Sequence, residues 1–328
     1  MKPFTLAIVG ATGLVGRTFL SVLEERKLPI SSLTLFASPR SAGQTLMFQN
    51  AMYQVQPLTK DALDAGFDVV LFSAGGTISK DYAYQAVASG SLVVDNSSAW
   101  RMDPSVPLVV PEVNAAALRH HPGLIANPNC STIQSVVALA PIHQTYGLTR
   151  IIYTTFQAVS GSGYSGLRDL ERTKQGDEPE FYPVAIDRTV YPKIDEFVEN
   201  LSTKEEIKMI HETKKILGDA SMAVSATCVR VGIEHAHSVA ITLETKRPFA
   251  ITDIIELLKQ SPAIKVYEHP TIPTVLDAAG NDLVHVGRIR RDDSVDHGLQ
   301  MWVVSDNIRK GAATNAIQIV EAMIGERQ

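Results

Sequence analysis

Short apolar runs alternate with stretches of helical periodicity through the first third of the chain. Residues 4–9 (FTLAIV) form a continuous apolar run and predict a strand. Past a glycine turn, residues 14–26 place Val15, Phe19, Val22 and Leu23 at helical spacing. Further strands are predicted at 33–37 (LTLFA), 69–72 (VVLF) and 92–95 (LVVD), with a helix over 81–88 between the last two. Strand, helix and strand in this order imply right-handed crossovers and a mostly parallel, doubly wound sheet.

The pattern then changes. Residues 151–158 (IIYTTFQA), 227–231, 239–244 and 299–304 predict strands, and 204–217 and 252–260 predict helices. Longer strands with fewer helices predict an α+β second domain with a mixed or antiparallel sheet. Residues 161–191 are rich in glycine, proline and charge and read as a long surface connection. The alanine-rich stretch 312–324 predicts an amphipathic helix that returns to the first domain. The division that follows is 1–131 with 308–328, and 132–307.

Composition narrows the picture further. A chain of 328 residues has the length of about two domains. Its 45% hydrophobic and 20% charged residues exclude a disordered or fibrous chain. A net charge of −5 gives no general attraction to nucleic acid or an anionic membrane, so neither is expected as a partner. No apolar run reaches the ~20 residues of a spanning helix, and the N-terminus lacks the pattern of a secretory leader. Two cysteines, Cys130 and Cys228, imply no disulfide framework, and a reducing cytoplasm is the expected compartment.

The chemistry begins at Gly10-Ala11-Thr12-Gly13-Leu14-Val15-Gly16, after a predicted strand and at the start of a predicted helix. That context turns a weak glycine pattern into a dinucleotide site, Rossmann-like in form. Gly10 permits the tight turn, Gly13 lets backbone N–H groups reach a pyrophosphate, and Gly16 lets helix and sheet pack closely. The plainer alternative is a glycine turn that binds nothing. After the second strand stand Ser38, Arg40 and Ser41, with no acid to hold a ribose 2′-hydroxyl. Arginine offers a planar fork to a 2′-phosphate, so the cofactor indicated is NADP. The bland alternative is an exposed loop arginine.

Cys130 follows the turn Asn127-Pro128-Asn129, and a helix is predicted from Ser131 on. The positive end of a helix favours a thiolate, and neighbouring N–H groups can hold an oxyanion. Cys228, in an apolar strand, fits a buried structural cysteine instead.

These runs, taken in order, resemble the aspartate-β-semialdehyde dehydrogenase family. The resemblance covers GATGLVG, FSAGG (72–76), DNSSAWRMD (95–103), PEVN (111–114), NPNCSTIQ (127–134), FQAVSGSG (156–163), ETKKIL (212–217), Arg230 with His237, and DNIRKGAATNA (306–316). It implies NADPH-dependent reduction of L-aspartyl 4-phosphate to L-aspartate 4-semialdehyde and phosphate, serving lysine, methionine, threonine and diaminopimelate biosynthesis. In that reading Cys130 is the nucleophile that forms a thioester, and His237 is the general acid/base. Arg230 is the carboxylate fork, Glu212 meets the substrate amino group and Gln157 orients the substrate. Arg101 and Lys215 take the phosphate. Gly10, Thr12, Gly13, Leu14, Val15, Ser38, Arg40, Ser41, Ser160, Gly161 and Asn315 contact the cofactor, and no metal is called for. The resemblance also implies a homodimer or homotetramer built through a catalytic and dimerisation domain.

One stretch departs from the family's more proline-rich pattern. Val231–Ala236 reads VGIEHA, placing Glu234 and His235 near the base, with His235 on the same strand face as His237. Their effect falls on the pH profile. Two other readings keep parts of the pattern: an acyl-CoA reductase on the same scaffold, which has no need of Arg101 and Lys215, and a non-catalytic NADP-binding protein.

Overall fold

The computed structural model describes residues 2–326, and the chain divides into two units. One holds the residues up to Pro128 and those from Ala312 on; the other is Asn129–Gly311.

In the first unit β1 (Phe4–Val9) leads through the glycine turn into α1 (Leu14–Arg26). The helix buries Gly16, Phe19, Leu20, Val22 and Leu23 on one face. Then come β2 (Ile30–Ala37), β3 (Thr45–Phe48), β4 (Ala51–Pro57), β5 (Val69–Phe72), α2 (Gly76–Ala88), β6 (Leu92–Asp95), α3 (Pro111–Asn114) and β7 (Leu124–Ala126). The sheet order is β3-β4-β2-β1-β5-β6-β7. All neighbours are parallel except β3 and β4, which form an antiparallel edge hairpin. β5 and β6 are buried at every position, as strands covered on both faces must be. The strand order reverses direction at β1, and in sheets of this kind ligands bind beyond the carboxyl ends of the strands at that point. The glycine turn lies there.

The second unit opens with α4 (Cys130–Tyr146), in which every residue from Ser131 to Ala140 is buried. It continues through β8 (Leu148–Gln157), α5 (Gly163–Lys174), β9 (Val190–Tyr191), α6 (Lys204–Leu217), β10 (Ala223–Val231) and β11 (His237–Thr245). α7 (Ile251–Lys259), β12 (Ile264–Tyr267), α8 (Val275–Ala278), β13 (Val284–Asp292) and β14 (Gly298–Ser305) complete it. Its mixed sheet has the order β12-β13-β14-β11-β8-β10-β9. β8 lies inside the sheet, parallel to β10 and antiparallel to β11. Hence the end of β8, the end of β10 and the start of β11 meet at one edge. The chain then returns as α9 (Thr314–Glu326), whose Ala316, Ile317, Ile319, Val320 and Met323 join the core of the first unit.

Two expectations are corrected, and some strands were not anticipated. Residues 161–191 are not a bare surface connection: they hold α5, and Leu170, Tyr182 and Ile186 form a small core with Val159. The reason is a buried charge read as a solvated one. Asp169 is 1% exposed and its carboxylate accepts the N–H groups of Glu180, Phe181 and Tyr182. Next, His235 and His237 do not share a strand face. β11 begins at His237, and Ala236 before it is in the left-handed region (φ 70). Finally, the hairpin β3–β4 and the pair β12–β13 escape the sequence pattern. β3 has only four residues, and its outward Met47 is as apolar as the buried Leu46 and Phe48 beside it, so the run shows no polar alternation.

Candidate active site

At the glycine turn the backbone itself does the holding. Gly10 has φ 87, and the N–H groups of Gly10 and Ala11 both donate to Phe36 O, at 2.8 and 3.1 Å. A Cβ on Gly10 would stand 2.6 Å from Ser73 O, and one on Gly16 would stand 2.2 Å from Gly10 O. Neither position accepts a side chain. α1 starts after Gly13 with no capping side chain and no acidic residue in its first turn, so a phosphate finds its N–H groups at Leu14 and Val15 without a competing acceptor. Thr12 is half-buried and its carbonyl accepts from Arg17 Nε. After β2, Ser38 O accepts the N–H groups of Ser41 and Ala42, a tight turn that carries Arg40 at its tip. Arg40 is exposed and makes no hydrogen bond or ion pair among the described residues. These features fit a dinucleotide phosphate chain with a further anionic group near Arg40.

Cys130 is the first residue of α4 and is half-buried. Asn129 caps that helix: its Oδ1 accepts the N–H groups of Ser131 and Thr132, at 3.0 and 3.2 Å. Two glutamates of α6, seven residues apart and so on one face, hold Asn129 in turn. Its own N–H donates to Glu212 Oε2 at 2.6 Å and its Nδ2 to Glu205 Oε1 at 2.8 Å. Glu212 is 1% exposed, far from the solvated pair with Lys215 that the helix pattern alone would suggest. Burial alone would raise the Glu205 carboxyl, but Lys208, the Asn129 amide and Arg230 outweigh it and hold it below the usual range. Gly311 lies against the thiol-bearing carbon, since a Cβ there would stand 3.0 Å from Cys130 Cβ. Cys228 is fully buried, and burial followed by the Glu205 charge pushes its thiol far up. It is a structural cysteine.

The edge where β8, β10 and β11 meet supplies the remaining groups. Gln157 and Arg230 are register partners on β8 and β10. Gln157 Nε2 donates to Glu205 Oε1 and Thr155 Oγ1, both at 3.2 Å, so its carbonyl oxygen is what it can offer a ligand. Ala158 then grips two side chains through its backbone. Its carbonyl accepts from Arg230 Nη1 at 2.6 Å, and its N–H donates to His237 Nδ1 at 3.0 Å. With Nδ1 an acceptor, the neutral ring carries its proton on Nε2, which has no hydrogen-bond partner among the described residues. Burial and the Arg230 charge drive the His237 pKa well below its usual value. Glu234 plays no part in this, being paired with Lys174 at 2.8 Å. Gln134, one turn along α4 from Cys130, donates to His237 O at 3.1 Å and so ties the cysteine helix to the histidine strand.

Gly161 faces these groups: a Cβ there would stand 2.9 Å from Arg230 Nη1 and 3.4 Å from His237 Nε2. Ser160 is buried, with its hydroxyl engaged by Asn307 and its N–H by Glu234 O. Lys215 is half-buried on α6, one turn beyond Glu212. Arg101 and Asn315 belong to the first unit. There Arg101 is 8% exposed and donates through Nη2 to Asn96 O. The Asn315 amide nitrogen donates to Val109 O at 2.9 Å and to Asn127 Oδ1 at 2.7 Å.

Two family models match the chain: semialdehyde dehydrogenase, NAD binding domain, over residues 5–121, and semialdehyde dehydrogenase, dimerisation domain, over residues 139–310. An aspartate-semialdehyde dehydrogenase of Aquifex aeolicus is 48% identical, covering 98% of each chain. That of Bacillus subtilis is 45% identical over 97% of this chain and 96% of its own. The chain belongs to the aspartate-semialdehyde dehydrogenase family. The crystal structure of aspartate semialdehyde dehydrogenase II from Vibrio cholerae superposes with a TM-score of 0.95 at 43% identity, covering 98% of this chain and 99% of that one. A structure of the Vibrio protein is described as complexed with ASA, and one of a Candida albicans relative (28% identical, TM-score 0.80) as holding NADP.

The residues singled out in the sequence divide unevenly between the two matched stretches. Gly10, Gly13, Ser38, Arg40, Ser41 and Arg101 fall in the NAD-binding stretch; Gln157, Glu212, Lys215, Arg230 and His237 fall in the dimerisation stretch. Cys130 lies between them. Sequence reasoning passed over Glu205 and Asn307. Glu205 had a signal, because it shares a helix face with Glu212. Asn307 had none beyond its place in the DNIRKG run. Among the described residues no group of His, Cys, Asp and Glu is placed to hold a metal ion, and no helix is long and apolar enough to cross a membrane.

Proposed function

We propose that this chain catalyses the NADPH-dependent reductive dephosphorylation of L-aspartyl 4-phosphate to L-aspartate 4-semialdehyde, in the cytoplasm and on the route to lysine, methionine, threonine and diaminopimelate. The observation that carries the reading is one bonded network in one unit. It runs from the capped Cys130 helix through Asn129, Glu205 and Gln157, and back through Gln134 to His237 beside Arg230. Preference for NADP rests on the unpartnered Arg40 and the absence of an acid after β2.

In the reaction Cys130 sulfur bonds to the acyl carbon, the carbon–oxygen bond to phosphate breaks, and phosphate leaves a thioester behind. Bound NADPH supplies the hydride that reduces this thioester. The carbon–sulfur bond then breaks, giving the aldehyde and returning the thiolate. His237 serves as the acid/base partner, and with its proton on Nε2 it enters as a donor to the oxygen that gains charge in each tetrahedral adduct. Arg230 takes the α-carboxylate with its fork, Glu212 the amino group, and Gln157 sets the orientation. Arg101 and Lys215 take the phosphate. The chain works as a homodimer through the half-buried face of the second sheet.

The test is phosphate-dependent reduction of NADP⁺ with aspartate semialdehyde. Cys130→Ser abolishes turnover while NADPH binding stays close to that of the parent. Retention of a tenth of the activity overturns the covalent role. Lys215→Ala raises KM for phosphate, and Arg230→Ala raises KM for the semialdehyde, each about ten- to a hundred-fold, from loss of one charge-assisted contact of ~1.5–3 kcal/mol. Turnover with an acyl-CoA and none with phosphate supports the acyl-CoA reductase instead.

A further inference from the structure

We infer that Asn307 is a positioning residue: by fixing Ala236 in a left-handed backbone turn it holds the His237 imidazole where the reaction needs it. The inference rests on the reading of His237 as the acid/base partner.

Ala236 has φ 70, a conformation disfavoured for every residue but glycine, and it is fully buried with no side-chain group to compensate. What answers for it is a single polar contact. The Ala236 N–H donates to Asn307 Oδ1 at 3.0 Å. The next residue is His237, where β11 begins, so the angle at which the chain leaves Ala236 sets where the imidazole points.

The same amide reaches the opposite wall. Asn307 Nδ2 donates to Ser160 Oγ at 3.0 Å, and that oxygen lies 3.2 Å from Asn307 Oδ1. Val159 and Ser160 donate their N–H groups to Ile233 O and Glu234 O. Segment 158–161 and segment 233–237 are therefore stitched together by backbone bonds, and Asn307 pins both. His237 Nδ1 accepts from Ala158 inside that stitched pair, so a shift of Ala236 pulls the ring off its donor. Asn307 is 4% exposed, and an asparagine amide supplies an acceptor and a donor together. Leucine would supply neither.

The residue before it anchors the arrangement. Asp306 Oδ1 accepts the N–H groups of Ile308 and Arg309, its Oδ2 accepts that of Gly280, and its carbonyl accepts that of Gly311. Gly311 is the residue packed on Cys130. One short turn thus braces the nucleophile on one side and, through Asn307, the histidine on the other.

Steady-state kinetics with aspartate semialdehyde, phosphate and NADP⁺ provide the test. Asn307→Ala lowers kcat roughly ten- to a hundred-fold, and each KM stays within about twofold, as for lost orientation rather than lost binding. Adding Ala236→Gly to Asn307→Ala recovers at least half of the kcat of the Ala236→Gly single variant, because glycine adopts the turn unaided. Ala236→Val, which leaves Asn307 intact but resists the turn, lowers kcat in the same way and covers the case of an Asn307→Ala chain that does not fold. Unchanged kcat in Asn307→Ala or Ala236→Val, or no recovery in the double variant, overturns the inference. A His237→Gln chain distinguishes the two levels: if it keeps full kcat, the reading of His237 fails; if it loses kcat while Asn307→Ala does not, only the positioning role fails.

Discussion

Gly161 shows how little space separates the Arg230 guanidinium from the His237 ring. The Arg230 guanidinium is fixed by its 2.6 Å bond to Ala158 O, so a Cβ at position 161 displaces the far end of a side chain that has somewhere specific to be. Gly161→Ala is expected to leave stability within about 1 kcal/mol, and to raise KM for the semialdehyde roughly tenfold through a weakened charge-assisted bond. Steady-state kinetics beside thermal denaturation check both parts. An unaltered KM would mean that Arg230 does not hold the carboxylate from this position. Arg40 is the reverse case, an exposed side chain with no hydrogen bond or ion pair among the described residues. Arg40→Ala is expected to weaken NADPH about tenfold or more and NADH little, since only the former carries a 2′-phosphate. Fluorescence titration with the two cofactors decides it, and equal losses exclude a role in their discrimination.

At the level of elements, two helices meet end to side around one asparagine. The first turn of α4 is capped by Asn129, and Asn129 is held by Glu205 and Glu212 of α6. Asn129→Ala removes the cap and leaves Glu205 without one of its donors, a loss of about 1–3 kcal/mol. Urea denaturation is expected to show it, together with a fall in kcat because Cys130 is the next residue. A variant as stable and active as the parent would assign both effects elsewhere. The elements themselves differ in how readable they were. β1, α1, β5, β6 and α6 have the bounds that periodicity predicts, because each buries one apolar stripe or run. α5 was hidden because Gly166, Asp169 and Thr173 fill its buried face alongside Leu170, and no hydrophobic scale marks an aspartate as inward. For the site, Cys130 carried a chemical signal of its own at the start of a helix, whereas Arg230 and His237 were picked out only by the resemblance to the family. Ala158 and Asn307 act through a backbone peptide and an amide whose partners lie far away in sequence, and no local pattern records that.

For the molecule as a whole, the second sheet has one face against α4, α6 and α7 and another only half-covered. On that face Phe156 and Trp302 pack with ring centroids 5.6 Å apart, near Ile152 and Ala240. Trp302→Glu places a charge in the proposed homodimer contact and is expected to give monomers in sedimentation velocity at micromolar concentration. A variant that sediments like the parent would put the contact on another surface. The return of the chain has a different kind of consequence. Ala316, Ile317, Val320 and Met323 of α9 belong to the core that also holds Phe19, Leu23 and Val94. On the ribosome these residues emerge only after the whole of Asn129–Gly311. The cofactor-binding half is therefore begun first and closed last. During synthesis its apolar wall stays uncovered until α9 arrives, so folding of that half cannot be completed before the second unit has been made.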